Sequence, residues 1–230
     1  GDVYLAEHEL IKRKVAIKVL HRHLVSNNDF IKRFRKEAEL LASLDHPNIV
    51  RLNEYFEYFA YCCEFYGGHV DKYIGDAAML VFGAPNKDPM HPFNAVACAI
   101  LIQKIVANVN KMRWQQGKVC LQVRIGINSG LMLAGVIGSK SRLQYTVVGE
   151  AVNLASRLCD LSAPDQILVD TAFFAQANNN GLLIPGVEKS HRVKGVKELV
   201  TTVSIKGIVK EPINHYKTAI AELNLLVEHD

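Results

Sequence analysis

The sequence predicts a mixed α+β fold built as two incomplete units. Three observations carry this. Apolar runs of strand length alternate with runs whose apolar residues recur at helical spacing, and the pattern changes character at Gly67-Gly68. Turn signals such as Gly75-Asp76 and Asn128-Ser129-Gly130 also separate neighbouring apolar runs at hairpin distance.

In chain order, V-Y-L-A from Val3 and K-V-A-I-K-V-L from Lys14 read as two strands joined by the charged stretch E-H-E-L-I-K-R-K. A helix is predicted next. Phe30, Ile31, Phe34, Ala38, Leu41 and Leu44 share one face of it, and Asn28 or Asp29 is available as its N-cap. After the turn at Pro47-Asn48, the aromatic-rich residues up to Tyr66 read as two β-rich runs.

Beyond Gly67-Gly68, H-V-D-K-Y-I-G and A-A-M-L-V-F-G form a hairpin about Gly75-Asp76. Residues 92–112 make a long helix, and V-C-L-Q-V-R-I-G-I-N-S-G and L-M-L-A-G-V-I-G are strands ended by turn residues. A helix over G-E-A-V-N-L-A-S-R-L-C-D-L and a short strand Q-I-L-V-D follow. H-R-V-K-G and L-V-T-T-V-S-I-K-G close as a final antiparallel pair, and Ile213, Tyr216, Ile220 and Leu223 give residues 208–230 the helical spacing expected of a tail or of the start of a further unit.

Composition narrows the functional classes. An apolar fraction of 49% with 22% charged residues describes a globular chain that can bury a core. A net charge of +4 suits a small polyanionic ligand and is too slight for a nucleic-acid footprint, so no nucleic acid is expected. Five scattered cysteines with no C-x-x-C suggest neither a disulfide framework nor zinc, and point to a reducing, cytoplasmic setting. The apolar stretch A-V-A-C-A-I-L-I is stopped by Gln103 and Lys104, so no membrane span is expected. The chain opens without methionine, in the middle of a strand entry, and is expected to be a fragment.

Residues 1–66 resemble the small lobe of a serine/threonine protein kinase. The motifs, in that family's order, are G-D-V-Y-L-A, V-A-I-K-V-L, F-R-K-E-A-E-L-L-A-S-L-D-H-P-N-I-V-R-L and Y-C-C-E-F-Y-G-G. The resemblance makes Lys18 the phosphate-holding lysine and Glu37 its helix partner, a vestigial nucleotide site. H-R-D and D-F-G motifs are missing, so neither a base nor a metal ligand for protein phosphorylation is expected.

Residues 67–207 resemble the class III nucleotidyl cyclase catalytic domain. The motifs are G-G-H-V-D-K-Y-I-G-D-A-A-M-L-V-F-G-A-P, V-R-I-G-I-N-S-G-L-M-L-A-G-V-I-G-S and Y-T-V-V-G-E-A-V-N-L-A-S-R-L. The resemblance implies a ferredoxin-like core and conversion of ATP to cyclic AMP and pyrophosphate by two Mg2+ or Mn2+ ions at a dimer interface. In that chemistry the ribose 3′-hydroxyl attacks the α-phosphorus in line, which two cations clamp. A carboxylate at a hairpin turn suits a hard cation, and by resemblance Asp76 is that metal ligand. Lys72 and Asp76 are an even number apart, which in a regular strand puts them on one side.

The family's purine-reading positions fall on Lys72, typical of ATP users, and on Thr146, whose hydroxyl can accept from the adenine amino group. Asn153 and Arg157 stand four apart on one helix face. By resemblance Asn153 orients the ribose and Arg157 stabilises charge on the reacting phosphorus. Arg124 matches a triphosphate contact, and Lys194 or Lys197 a phosphate lysine. The family draws metal ligands and transition-state residues from opposite subunits, which implies a homodimer.

One feature of the family is missing. Its opening strand, which carries the first metal aspartate, and the helices after it have no counterpart ahead of Gly67. The kinase-like segment stands there instead, as though two coding sequences had been joined at Gly67-Gly68. Impaired or lost cyclase activity is therefore expected, the alternative being a dead nucleotide-binding or dimerisation module.

Overall fold

The computed structural model describes residues 2–7, 14–19, 52–139, 142–192 and 198–209. The chain divides into two compact units, Gly1–Ile49 and Val50–Asp230. In the first, strands β1 (Asp2–Glu7) and β2 (Lys14–Val19) pair antiparallel, with Lys18 opposite Val3, as the sequence predicts. The helix expected around Glu37 lies outside the described residues, as does the tail from residue 210 onward.

The second unit opens with a correction. Residues 52–65, read from sequence as strand, form helix α1 (Leu52–Phe65). Aromatic residues favour strands by type, but spacing wins here: Tyr55, Tyr58 and Cys62 fall at i, i+3 and i+7 and are all buried. A helix therefore does precede Gly67, contrary to expectation. The Gly67-Gly68 pair also has a local cause. Gly67 takes φ +73°, the Gly68 N–H donates to the Cys63 carbonyl at 2.8 Å and the Gly67 N–H to the Glu64 carbonyl at 2.9 Å. That is a Schellman cap, which satisfies the last carbonyls of the helix and favours glycine at its left-handed position.

From this cap the chain enters the hairpin β3 (His69–Ile74) and β4 (Ala77–Val81), turned by Gly75 and Asp76 as predicted. The Tyr73 ring stacks on Phe56 of α1 at 4.4 Å. Helix α2 (His91–Gln115) follows, then β5 (Ile125–Ile127), the ribbon β6 (Leu133–Ser139) and β7 (Arg142–Val148), and helix α3 (Glu150–Leu161). The chain ends, within the described residues, with β8 (Ile167–Asp170), α4 (Thr171–Ala177), β9 (Leu183–Arg192) and β10 (Leu199–Ile208). Helix α4 escapes the sequence reading. It starts where Asp170, the last residue of β8, turns its carboxylate back to accept the Phe173 N–H at 2.6 Å.

A four-stranded sheet of order β5-β8-β10-β9 forms the platform. β5 and β8 run parallel, and β10 is antiparallel to both β8 and β9. The predicted closing pair is thus present, but β9 begins at Leu183, eight residues before the expected His191. Helix α2 is long and apolar enough by composition to cross a membrane, yet it is a core helix. Cys98, Leu101, Ile102, Ile105 and Val106 pack on Tyr55, Tyr58 and Cys62 of α1, while Val96, Ala99 and Ile100 pack with Ile167, Val169 and Phe173. A helix buried on two sides needs apolar residues nearly all round. Each fully buried Val, Leu or Ile among them contributes roughly 1.5–3 kcal/mol.

The three buried thiols are chemically quiet. Burial pushes Cys62 and Cys63 up from 9.0 to about 12, and Cys98 likewise upward. A folded chain that keeps thiol protons the unfolded chain has released is full in stability below about pH 9 and loses it as pH rises toward 12. The slope expected from Cys62 is about 1.4 kcal/mol per pH unit. Denaturant titrations at pH 8, 9.5 and 10.5 check this, together with slow reaction of these thiols with a disulfide reagent in the folded chain. Equal stability at all three pH values would contradict it.

Candidate functional site

The site grows from an irregularity in β3. Val70 pairs with Leu80 and Lys72 with Met79, so Asp71 is an extra residue, a β-bulge. A bulge interrupts the alternation of side chains, and here Asp71 and Lys72 turn to one target. That target is Thr146 on β7, a strand that packs beside β3. Lys72 Nζ donates to Thr146 Oγ1 at 2.8 Å, Thr146 Oγ1 donates to Asp71 Oδ2 at 2.8 Å, and Lys72 Nζ lies 3.1 Å from the same carboxylate oxygen. The Asp71 side chain is 0% exposed and that of Lys72 31%. A carboxylate so placed needs a cation and donors around it, and Oδ2 receives both, from Lys72 and Thr146.

Lys72 and Thr146, paired by the sequence reading, therefore meet within one chain. Asp71 was missed. Strand parity assigns it to the face opposite Lys72, and only a signal for the bulge could have corrected that. The parity argument joining Lys72 to Asp76 has no strand to act through, because β3 ends at Ile74 and Asp76 is a turn residue exposed at the hairpin tip.

Helix α3 carries the second group. Ala151 and Leu158 are buried, and at 100° per residue Asn153 and Arg157 fall on the opposite face. Asn153 is exposed and Arg157 partly so. What holds the helix is its approach to β5. A Cβ on Gly126 would fall on backbone atoms of α3, Cys159 N and Ala155 O, with Leu158 C at 2.8 Å. The Cys159 thiol donates to the Arg124 carbonyl at 3.3 Å. Arg124 itself, expected on the strand, is exposed and immediately precedes β5.

Among the described residues, no hydrogen bond or ion pair joins Asn153 or Arg157 to Lys72, Thr146 or Asp76. Lys194 and Lys197 lie outside the described residues. No group of three His, Cys, Asp or Glu side chains that could hold a metal stands among the described residues. One exposed carboxylate, Asp76, does not fit a site for two divalent cations.

The ribbon β6–β7 is unusually apolar on its surface. Leu133, Val136, Tyr145 and Val148 are exposed, and Leu131 just before it is 101% exposed. Leu133 pairs with Val148 and Val136 with Tyr145 across the ribbon.

A family model described as the adenylate and guanylate cyclase catalytic domain matches residues 23–207, and so takes in much of the segment ahead of Gly67. Adenylate cyclase 1 of Rhizobium meliloti (strain 1021) is 28% identical over 165 residues, covering 70% of this chain and 24% of that protein. The chain thus spans about a quarter of that curated relative's length. Among solved structures, the guanylyl cyclase Cya2 is 31% identical with a TM-score of 0.65, covering 70% of this chain and 81% of Cya2. The adenylyl cyclase CyaB from P. aeruginosa is 28% identical with a TM-score of 0.65, covering 74% and 87%.

Proposed function

The chain belongs to the adenylate and guanylate cyclase catalytic domain family, and on that premise we propose that its second unit is an ATP-directed cyclase half-site of low activity. The observation that carries ATP over GTP is the contact of Lys72 with Thr146, a donor beside an acceptor drawn from two hairpins. Ring N1 of adenine accepts and its 6-amino group donates, which is the complement of that pair. Both a named guanylyl cyclase and a named adenylyl cyclase resemble the chain equally well, so the base is chosen by these side chains and not by the fold.

The chain's own residues divide the work. Lys72 and Thr146 hold the purine, Asn153 orients the ribose, and the Arg157 guanidinium faces the charge that builds on the phosphoryl oxygens. Arg124 and Lys194 or Lys197 draw the triphosphate. Two copies are needed, because the family resemblance draws the metal ligands from the subunit opposite the one that supplies Lys72, Thr146, Asn153 and Arg157. The apolar ribbon β6–β7 supports a homodimer, since a two-stranded ribbon with exposed apolar residues gains by being covered.

Mg2+ or Mn2+ is the cation the family resemblance implies, and among the described residues Asp76 belongs to no group of three His, Cys, Asp or Glu side chains able to hold it. The same observation favours a second reading, a nucleotide-binding or dimerisation module without catalysis. Kinase-like ancestry, read from residues 1–66, stays a proposal, with Lys18 and Glu37 as vestiges and no kinase activity.

Incubating the purified chain with Mn-ATP and measuring cyclic AMP and pyrophosphate tests the proposal. Equal amounts of both are expected, at a rate about a hundredfold or more below the roughly 10 s⁻¹ of an ordinary enzyme. A normal rate would contradict impairment. ATP binding without product would favour the second reading.

A further inference from the structure

A threonine hydroxyl left to itself rotates, and can donate or accept. Thr146 alone would therefore take the 6-amino group of adenine by accepting, and equally the 6-carbonyl of guanine by donating. In this chain it is not left to itself. It sits between Lys72, whose ammonium can only donate, and Asp71, whose carboxylate can only accept. Chemistry fixes the direction of both bonds without any hydrogen being placed. The hydroxyl proton is committed to Asp71 Oδ2, one lone pair is taken by Lys72, and a lone pair is all that remains.

The geometry points to Asp71 as the residue that sets the purine specificity of this site, by holding the Thr146 proton so that Thr146 meets the 6-position of the base as an acceptor only. Adenine's amino group then satisfies it, while guanine's carbonyl brings a second acceptor against it, leaving two buried oxygens unpaired. Asp71 also takes one N–H of Lys72 at 3.1 Å. With another given to Thr146, the third of the ammonium's donors is left for the ring nitrogen. Asp71 touches no nucleotide in this scheme and is a positioning residue. The proposal rests on the purine-site reading above.

Calorimetric titration with the α,β-methylene analogues of ATP and GTP in the presence of Mn2+ reads the effect without requiring turnover. The wild-type chain is expected to favour the adenine analogue at least about tenfold. Asp71→Ala frees the Thr146 hydroxyl to turn round, and the preference is expected to fall about tenfold, chiefly through gained affinity for the guanine analogue. Asp71→Asn retains most of the preference, because Lys72 turns the amide oxygen inward and that oxygen still accepts the Thr146 proton.

An unchanged ratio in Asp71→Ala, with both affinities weakened alike, would mean a merely structural role and overturn the proposal. Loss of preference in Asp71→Asn to the extent seen in Asp71→Ala would overturn it too, since charge and not proton direction would then be at work. Should Asp71→Ala fail to fold, Asp71→Val, which also removes the acceptor but fills more of the space, takes its place and is read by the same two outcomes. A wild-type chain that binds both analogues equally overturns the role of Asp71 but leaves the purine site standing. Binding of neither overturns the site itself and the proposal with it.

Discussion

Gly126→Ala is expected to destabilise the second unit by about 3 kcal/mol, at the upper end of what overpacking costs. The clash is with backbone: the new methyl group would land on Cys159 N and Ala155 O of α3, which cannot rotate away as a side chain would. Helix α3 must lift from β5, and its own buried residue Leu158 loses its packing. With α3 go Asn153 and Arg157, so any residual cyclic AMP formation should fall together with stability. A urea titration checks this, with a midpoint lower by roughly 1 M or more at unchanged slope. A variant as stable as the wild type would show that β5 and α3 do not meet as described.

Lys72→Met is expected to cost about 2 kcal/mol and to remove nucleotide discrimination. The substitution takes the cation from beside a carboxylate that water does not reach, and partial exposure of Lys72 keeps the loss below that of a fully buried pair. The double variant Lys72→Met/Asp71→Asn should recover most of the stability, because no charge is then left buried, and should not recover the preference for adenine. Denaturation of the two variants and titration with both nucleotides measure the two effects separately. Equal stability of Lys72→Met and wild type would mean that the ion pair contributes nothing.

The parts of this fold that were legible are those where pattern and neighbourhood agree. Helix α3 shows a clean face, the Gly75-Asp76 turn joins two short apolar runs, and β8 and β10 are compact apolar stretches between turn residues. α1 was not legible by residue type, because Tyr and Phe favour strands; its buried positions at helical spacing and the glycine cap at Gly67 were the available signals. The sheet order β5-β8-β10-β9 rests on contacts between distant segments and leaves no local mark. In the site, Lys72 and Thr146 came from motif resemblance, whereas Asp71 depends on one extra residue in a strand, which reverses the side that parity predicts.

Mixing gives the most direct test of the account, which holds that this chain supplies the purine, ribose and phosphoryl-charge side of a cyclase site and only part of the metal side. The partner is the adenylyl cyclase CyaB from P. aeruginosa with the residue that aligns with Arg157 replaced by alanine, a variant expected to be inactive by itself. Cyclic AMP from Mn-ATP is expected in the mixture, well above either chain alone, and is expected to vanish when this chain carries Arg157→Ala. A mixed dimer that forms and yields no cyclic AMP would contradict the account.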